Sequence, residues 1–556
     1  RDCLTSMSTT ANARNAGGTG ASRFRRALLR LRVHLDALFA QPRLYLQGAI
    51  WRVRGLKLRS RHRFSALIGH SPRAYDLWMA SREPERLAAI ALTAVDAPPI
   101  AIVIDCRAAA DGLVETLASI AHLQGETPQI AILGVSDASA GMHHHLPDLQ
   151  ALSAWVSNQT SDAWILPLCA GDLLAPCALS AYRKHIACDV AAKVFYADDD
   201  LLTADGKRAQ PHFKPTWDPE LYRHFDYLTG SALFACDPAM IGEDWPRRSF
   251  DLSHPPVHVP HVLHHRRKRP APVRPAAPLI PPDLPHVSVI VPTRDHVDLL
   301  RTCIVGLDAT RYPSFDVTIV DNDSSDPETV AYLKGLRAKG IRVETYAGPF
   351  NYAAMHNAVV PSLAGPLVCL LNNDIEVIDP DWLMIMATAA MRDDVGAVGA
   401  RLLYPDRTIQ HAGIVIGVGG GAGHAHRMQR DDECGYFGRA HLPQHISAVT
   451  AACMLLRKDR FKAVGGFDAE NFTVAFNDVD LCLKLNARGW QSFYEARACL
   501  IHHESKSRGL DNDPLKRARF AGELAALKRI WATDCRHDPY HHPELSQFGE
   551  QFVVRL

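Results

Sequence analysis

No run of about 18 uncharged apolar residues occurs in this 556-residue chain, so the sequence carries no signal for a membrane-spanning helix. Nor is there a Cys-x-x-Cys pair. The 13 cysteines, Cys106, Cys169, Cys303, Cys369 and Cys453 among them, are scattered, several inside apolar runs. That spacing excludes a disulfide frame and a cysteine zinc site, and fits buried thiols in a reducing compartment. Net charge is short as well, at +1, so no global field recruits nucleic acid or an acidic partner. With no recognisable leader, the expected location is the cytoplasm, free or peripheral at the inner face of its membrane.

What the chain does have is material for a core. A composition 47% hydrophobic and 22% charged is globular and long enough for two or three domains. Residues 22–40, "SRFRRALLRLRVHLDALFA", place Phe24, Leu28, Leu31, Leu35 and Leu38 on one helical seam beside an Arg-rich face. Two readings stay open for this basic segment: a helix lying on anionic headgroups, or a solvated helix docked on the rest of the chain.

From residue 98 short apolar runs alternate with helical stretches: "PIAIVIDC", "PQIAILGVSD", "AWILPLCAGD", "KVFYADDD". Such alternation predicts a largely parallel, doubly wound α/β sheet. Residues 266–286 are dense in proline and read as a linker. The order then repeats with "HVSVIVPTRDHVDLL", "FDVTIVDNDSSD" and "GPLVCLLNNDIEV", so the halves read as degenerate copies of one unit. The expected layout is a basic helical segment over 1–97, a first copy over 98–265, the linker, a second copy over 287–512, and a C-terminal helix and tail over 513–556.

In an open sheet, ligands bind at the carboxyl ends of strands. Three such ends in the second copy are rich in polar groups: Pro292, Thr293 and Asp295; Asp321, Asn322, Asp323 and Ser324; and Asn372, Asn373 and Asp374. Any one of these acids could cap a turn. Gathered at one edge, they repel unless a cation or donor-rich ligand lies between them, and Mg²⁺ or Mn²⁺ carrying a nucleotide diphosphate meets both conditions. Farther on, Asp478 precedes an amphipathic helix, where the helix dipole favours an ionised carboxylate able to take a proton from a sugar hydroxyl. His502 and His503 close a strand as neutral nitrogen ligands, ahead of the cations Lys506 and Arg508.

Together "VSVIVPTRD", "VDNDSSD", "LLNNDIEV", "GGFDAENFTVAFNDVDLCLKL" and "HHESKSRG" resemble the inverting glycosyltransferases of family 2, of the branch that builds O-antigen and other bacterial surface polysaccharides, often rhamnosyltransferases. The resemblance implies two tandem GT-A domains, Rossmann-like with mostly parallel sheets. It implies that Pro292, Thr293, Asp295, Asp321, Asp323, Asn373, Asp374, Lys506 and Arg508 bind the nucleotide-sugar. Asp374 would hold a divalent metal, Mg²⁺ or Mn²⁺, with His502 or His503, of which His502 is preferred for its place three residues before Ser505. Asp478 matches the general base, and the acceptor would be a glycan or lipid-linked glycan. Asn372 and Asn477 depart from the acids the family carries there.

The first copy looks degenerate. In "PLCAGDLLAP" the motif positions are read as Cys169, Ala170 and Gly171, with only Asp172 trailing, which implies a catalytically dead domain. Asp198, Asp199 and Asp200 keep a sugar-binding role open. A rival to the enzyme reading is a non-catalytic scaffold of a polysaccharide assembly complex, which Asn372 supports and the set Asp374, Asp478 and "HHESKSRG" opposes. "IVIGVGGGAGHAHR" at 414–427 has Gly417, Gly419 and Ala422 at GxGxxA spacing, but no amphipathic helix follows, so a loop over the site is the reading taken rather than a dinucleotide fingerprint.

Overall fold

A computed structural model describes residues 20–91, 98–125, 127–135, 143–159, 164–235, 237–247, 251–504 and 514–556. The chain divides into two compact units: one runs to Ala271 and takes back Val553–Leu556, and the other is Pro272–Phe552. The boundary falls inside the proline-rich stretch, where no apolar period could hold the chain to either core.

The first unit opens with five helices between Gly20 and Ala91. The first, Gly20–Ala40, buries Val33 and Ala37, and the seam read from the sequence faces outward: Phe24 is 71% exposed, Leu31 57% and Leu35 40%. A nine-stranded sheet follows. Its strand Ile100–Asp105 pairs in parallel with Gln129–Leu133 and Trp164–Cys169. At its edge lies the short strand His144–Leu146, parallel to Gln129–Leu133.

The second unit is built on a ten-stranded sheet. Strand Val287–Thr293 is buried along its whole length and pairs in parallel with Phe315–Asp321 and Leu367–Leu371. Alternation sends its side chains to two cores: Val287, Val289 and Val291 pack with Leu300, Cys303 and Leu307, while Ile290 joins Tyr352 and Met355. The parallel pattern stops there. Cys453–Arg457 runs antiparallel between Leu367–Leu371 and Val395–Leu403, so the sheet is mixed and not parallel throughout. The physical reason is the excursion over 404–452, which returns the chain to the sheet from the opposite end. Both units are α/β domains with mixed sheets and helices.

The tail is part of the second core. Helix Pro514–Trp531 sends Trp531 Nε1 to donate to Asp480 Oδ1 at 2.9 Å. The buried carboxylate of Glu523 accepts from Thr473 Oγ1 at 2.7 Å and from the amides of Val474 and Ala475 at 2.9 and 3.2 Å. Among the described residues no helix is long and apolar enough to cross a membrane.

Candidate functional site

Three strand ends meet as the doubly wound pattern requires. Thr293 stands opposite Asp321 in the parallel register, and its Oγ1 accepts from Asn373 Nδ2 at 3.0 Å. Pro292 lies one position back, paired with Val320. Asp295 and Asp323 both adopt positive φ, 53° and 60°, which marks tight turns. The Asp295 carboxylate accepts from the amides of Ser325 and Asp326, each at 2.8 Å, and Asp321 Oδ1 accepts from Ser324 N at 3.1 Å. These two acids therefore brace the loop around Asp323.

Asp374 lies between strands Leu367–Leu371 and Ile375–Val377, and Ile375 pairs antiparallel with His502. That register places His502 Nε2 3.1 Å from Asp374 Oδ1, both residues 5% exposed, with Asn372 Nδ2 3.4 Å from the same nitrogen. Two adjacent ligands of an octahedral ion, each about 2.1 Å from it, stand about 3 Å apart, so the carboxylate–imidazole pair fits a divalent metal. His503 turns elsewhere: its Nε2 meets Glu376 Oε2 at 2.7 Å while its amide donates to the Asp374 carbonyl at 2.9 Å. Lys506 and Arg508 lie outside the described residues.

Asp478 is the second residue of helix Asn477–Ala487, whose preceding residue Phe476 has φ 62°. Its oxygens accept from Ala451 N at 3.2 Å and Val479 N at 2.9 Å. Burial pushes its carboxyl above the usual carboxylate value, and the two amides and the Thr450 side chain pull it partly back. It keeps some exposure. A carboxylate of raised basicity, anchored by backbone and not wholly buried, is suited to accept a proton.

Sequence reasoning missed a further wall. The segment 414–427 is an ordered hairpin, Ile414–Ile416 against Ala422–His424, not a loop. Gly417 (φ 94°), Gly419 (φ 63°) and Gly420 (φ 80°) make its turn. Behind it Asp538 Oδ2 accepts from Ile416 N at 2.6 Å. His424 Nδ1 lies 2.8 Å from His411 Nδ1, and His411 Nε2 accepts from Thr450 N at 3.4 Å, so His411 carries its proton on Nδ1 and donates to His424. Burial drives both imidazoles down, His424 to about 4, so both are neutral. Arg427 donates to Tyr404 Oη at 2.6 and 2.9 Å, and Glu504 accepts from Tyr404 Oη and Gln410 Nε2 at 3.1 and 3.2 Å. Burial alone would raise the Glu504 carboxyl, but the Arg427 guanidinium and His502 draw it below its ordinary value. The only sequence trace of this wall is the density of His and Arg in "GHAHR" and the Glu after "HH".

The first copy corrects its sequence alignment. Leu173 pairs with His265 as Ile375 pairs with His502, so Asp172 takes the place of Asp374, and Ala170 and Gly171 take the places of the asparagines. Motif positions follow the strand end, which the sequence placed one residue early. Asp172 Oδ1 accepts from Arg267 N at 2.8 Å, and burial raises its carboxyl to about 6. Side-chain atoms of Arg267 press on Gly112 and Gly171, where a built Cβ would come within 2.3–2.7 Å of them. Asp198, Asp199 and Asp200 are fully buried. Asp199 pairs with Lys214 at 2.7 Å and Arg269 at 2.5 Å, Asp200 with Arg208 at 2.6 Å and His265 at 2.8 Å, and Asp198 with His258 at 2.8 Å. Each of these buried charges is thus matched by a cation or an imidazole, and removing a partner would leave it uncompensated.

Residues 285–519 match the sequence family described as Glycosyltransferase like family 2. An uncharacterised protein of Sinorhizobium fredii, y4gI, is 36% identical over 450 residues, covering 70% of this chain and 49% of its own length. The O-antigen biosynthesis protein RfbC of Myxococcus xanthus is 32% identical over 569 residues, covering 86% of this chain and 44% of its own. The chain thus spans about half the length of these curated relatives. An N-acetylglucosaminyl-diphospho-decaprenol L-rhamnosyltransferase of Mycobacterium tuberculosis is 40% identical over 66 residues, which are 12% of this chain and 21% of its own. Among solved structures, a mannosyltransferase of Pyrobaculum calidifontis in complex with GDP-Man and Mn²⁺ aligns at 16% identity and a TM-score of 0.35, over 47% of this chain and 68% of its own.

Proposed function

Because residues 285–519 match the family described as Glycosyltransferase like family 2, we propose that the second unit moves a sugar, with inversion, from a nucleotide-sugar to a hydroxyl of a glycan or lipid-linked acceptor in surface-polysaccharide synthesis of the O-antigen type. The observation that carries this reading is the approach of Asp374 to His502 in the same unit as an anchored, partly open Asp478. Asp374 and His502 would hold a divalent ion, which when bound supplies charge neutralisation for the leaving diphosphate. Asn373 and Thr293 orient each other at the nucleotide side. Asp478 takes the acceptor's proton as the hydroxyl attacks from the face opposite the diphosphate, and its raised basicity favours that transfer. The first copy is read as non-catalytic, since Arg267 occupies its Asp172 end.

The testing experiment is nucleoside diphosphate release from a panel of sugar nucleotides with acceptor glycans, with Mn²⁺, Mg²⁺ or EDTA, comparing wild type with Asp478→Asn. Release from one donor that needs both metal and Asp478 supports the reading. Equal release by Asp478→Asn removes that residue from the role, and donor binding without release under every condition favours the scaffold.

The amino-terminal helix carries a membrane proposal. Phe24, Leu31 and Phe39 are 71%, 57% and 80% exposed on a helix whose Arg23, Arg25, Arg26, Arg30 and Arg32 offer cations beside them. That pairing of exposed apolar and basic groups suits peripheral contact with anionic lipid.

A further inference from the structure

Within the second unit, a cavity of about 250 Å³ is lined by three arginines: Arg274 from the proline-rich stretch, Arg401 from strand Val395–Leu403, and Arg497 from strand Gln491–His502. None of them belongs to the Asp374 end. A bulge builds the wall. Ala400 pairs with Glu495 but Arg401 pairs with Cys499, so residues 496–498 stand out of the ladder and Arg497 and Ala496 reach the cavity. Arg497 is fixed by Glu495 at 2.6 Å and donates to the Ala276 carbonyl at 3.3 Å, which lays the proline-rich stretch over the opening.

One buried donor here lacks a hydrogen bond among the described residues. Arg401 is 8% exposed; its Nη1 lies 2.8 Å from Asp431 and its side chain also meets Cys499, but its Nε has no partner. The His441 ring stands beside it, its Nε2 4.0 Å from the same acid. Buried N–H groups in native proteins are almost always matched, so such a donor beside a cavity points to a ligand that matches it. Arg274 has no carboxylate partner among the described residues. Planar guanidinium forks fit carboxylate and phosphate oxygens. The lining also holds one acid, Asp379, whose Oδ1 accepts from Asp381 N at 3.0 Å. A carboxylate in the wall opposes a bare polyanion and offers an acceptor to a hydroxyl.

We infer that this cavity is a second saccharide site, taking a sugar that carries one carboxylate or one phosphate, with the oxyanion on Arg274 and Arg401 and a hydroxyl on Asp379. The reading of the chain as a glycosyltransferase is what makes a sugar the natural bearer of the oxyanion; the anion site itself follows from the arginines.

The test is calorimetric titration of the full chain in EDTA with glucuronic acid, glucose 6-phosphate and, as the uncharged control, glucose. One of the two anions is expected to bind about tenfold or more tighter than glucose. Arg274→Ala, at an exposed position, and Arg401→Lys are each expected to weaken that anion by about tenfold, while Asp374→Asn leaves it unchanged. Which anion binds decides between carboxylate and phosphate. Equal affinity in Arg274→Ala and wild type, loss of binding in Asp374→Asn, or no binding of either anion would overturn the site. Should Arg401→Lys fail to fold, Arg274→Ala carries the test. Anion binding in a chain that releases no diphosphate would keep this site and sink the transferase reading; release without anion binding would do the reverse.

Discussion

Replacing Asp478 by Asn separates chemistry from architecture. The carboxylate accepts from Ala451 N through Oδ2 and from Val479 N through Oδ1. Asn has one acceptor oxygen, so one amide loses its partner, at a cost of about 1–3 kcal/mol. An opposing effect comes from burial, which raises the Asp478 carboxyl. A group with a raised folded-state value contributes stability below its unfolded value and loses it as pH rises through the folded value. Wild type therefore carries a penalty at neutral pH that the Asn variant lacks. The stability deficit of Asp478→Asn should be larger at about pH 3 than at neutral pH. Turnover should fall about 10²- to 10⁴-fold, the range for a lost general base, which is about 2.7–5.5 kcal/mol of barrier. Thermal unfolding at the two pH values, single-turnover rates and donor affinity test this together. A variant whose turnover loss is matched by lost donor affinity, or whose deficit grows toward neutral pH, would refute the reasoning. In wild type the same raised value should place the acid limb of turnover above the ordinary carboxylate range.

Other perturbations probe the frame around the site. Glu523→Gln removes the charge from a carboxylate that takes three hydrogen bonds from residues 473–475. It should cost about 1.5–3 kcal/mol and lower turnover more than donor affinity, read by urea unfolding and steady-state kinetics. Gly399→Ala would bring a Cβ to 2.4 Å from Val449 Cβ, and overpacking there should cost about 1–3 kcal/mol in unfolding free energy. Leu31→Ser with Phe24→Ser should leave turnover on a soluble acceptor unchanged and reduce co-sedimentation with anionic vesicles; unchanged sedimentation would end the membrane proposal.

What the sequence determined by itself was whatever is periodic or local. Short continuous apolar runs announced Val287–Thr293 and its parallel neighbours, because a strand buried on both faces must be apolar on both. Oxygen-rich strand ends marked Thr293, Asp321 and Asp374, because sheet topology brings such ends to one edge. Asp478 was legible as the start of a helix. Tertiary structure alone decided the rest. The sequence preferred His502 over His503, but only the antiparallel register with Ile375 brings the His502 Nε2 to 3.1 Å from Asp374 Oδ1. The outward turn of the amino-terminal seam depended on which face found a partner, and the burial of Val33 and Ala37 settled it. The wall of Tyr404, His411, His424, Arg427 and Glu504 joins residues up to 100 apart, and the Arg401 cavity needs a bulge that no period announces. Contacts made by long-range register leave no local trace, so the sequence holds their residues without showing that they meet.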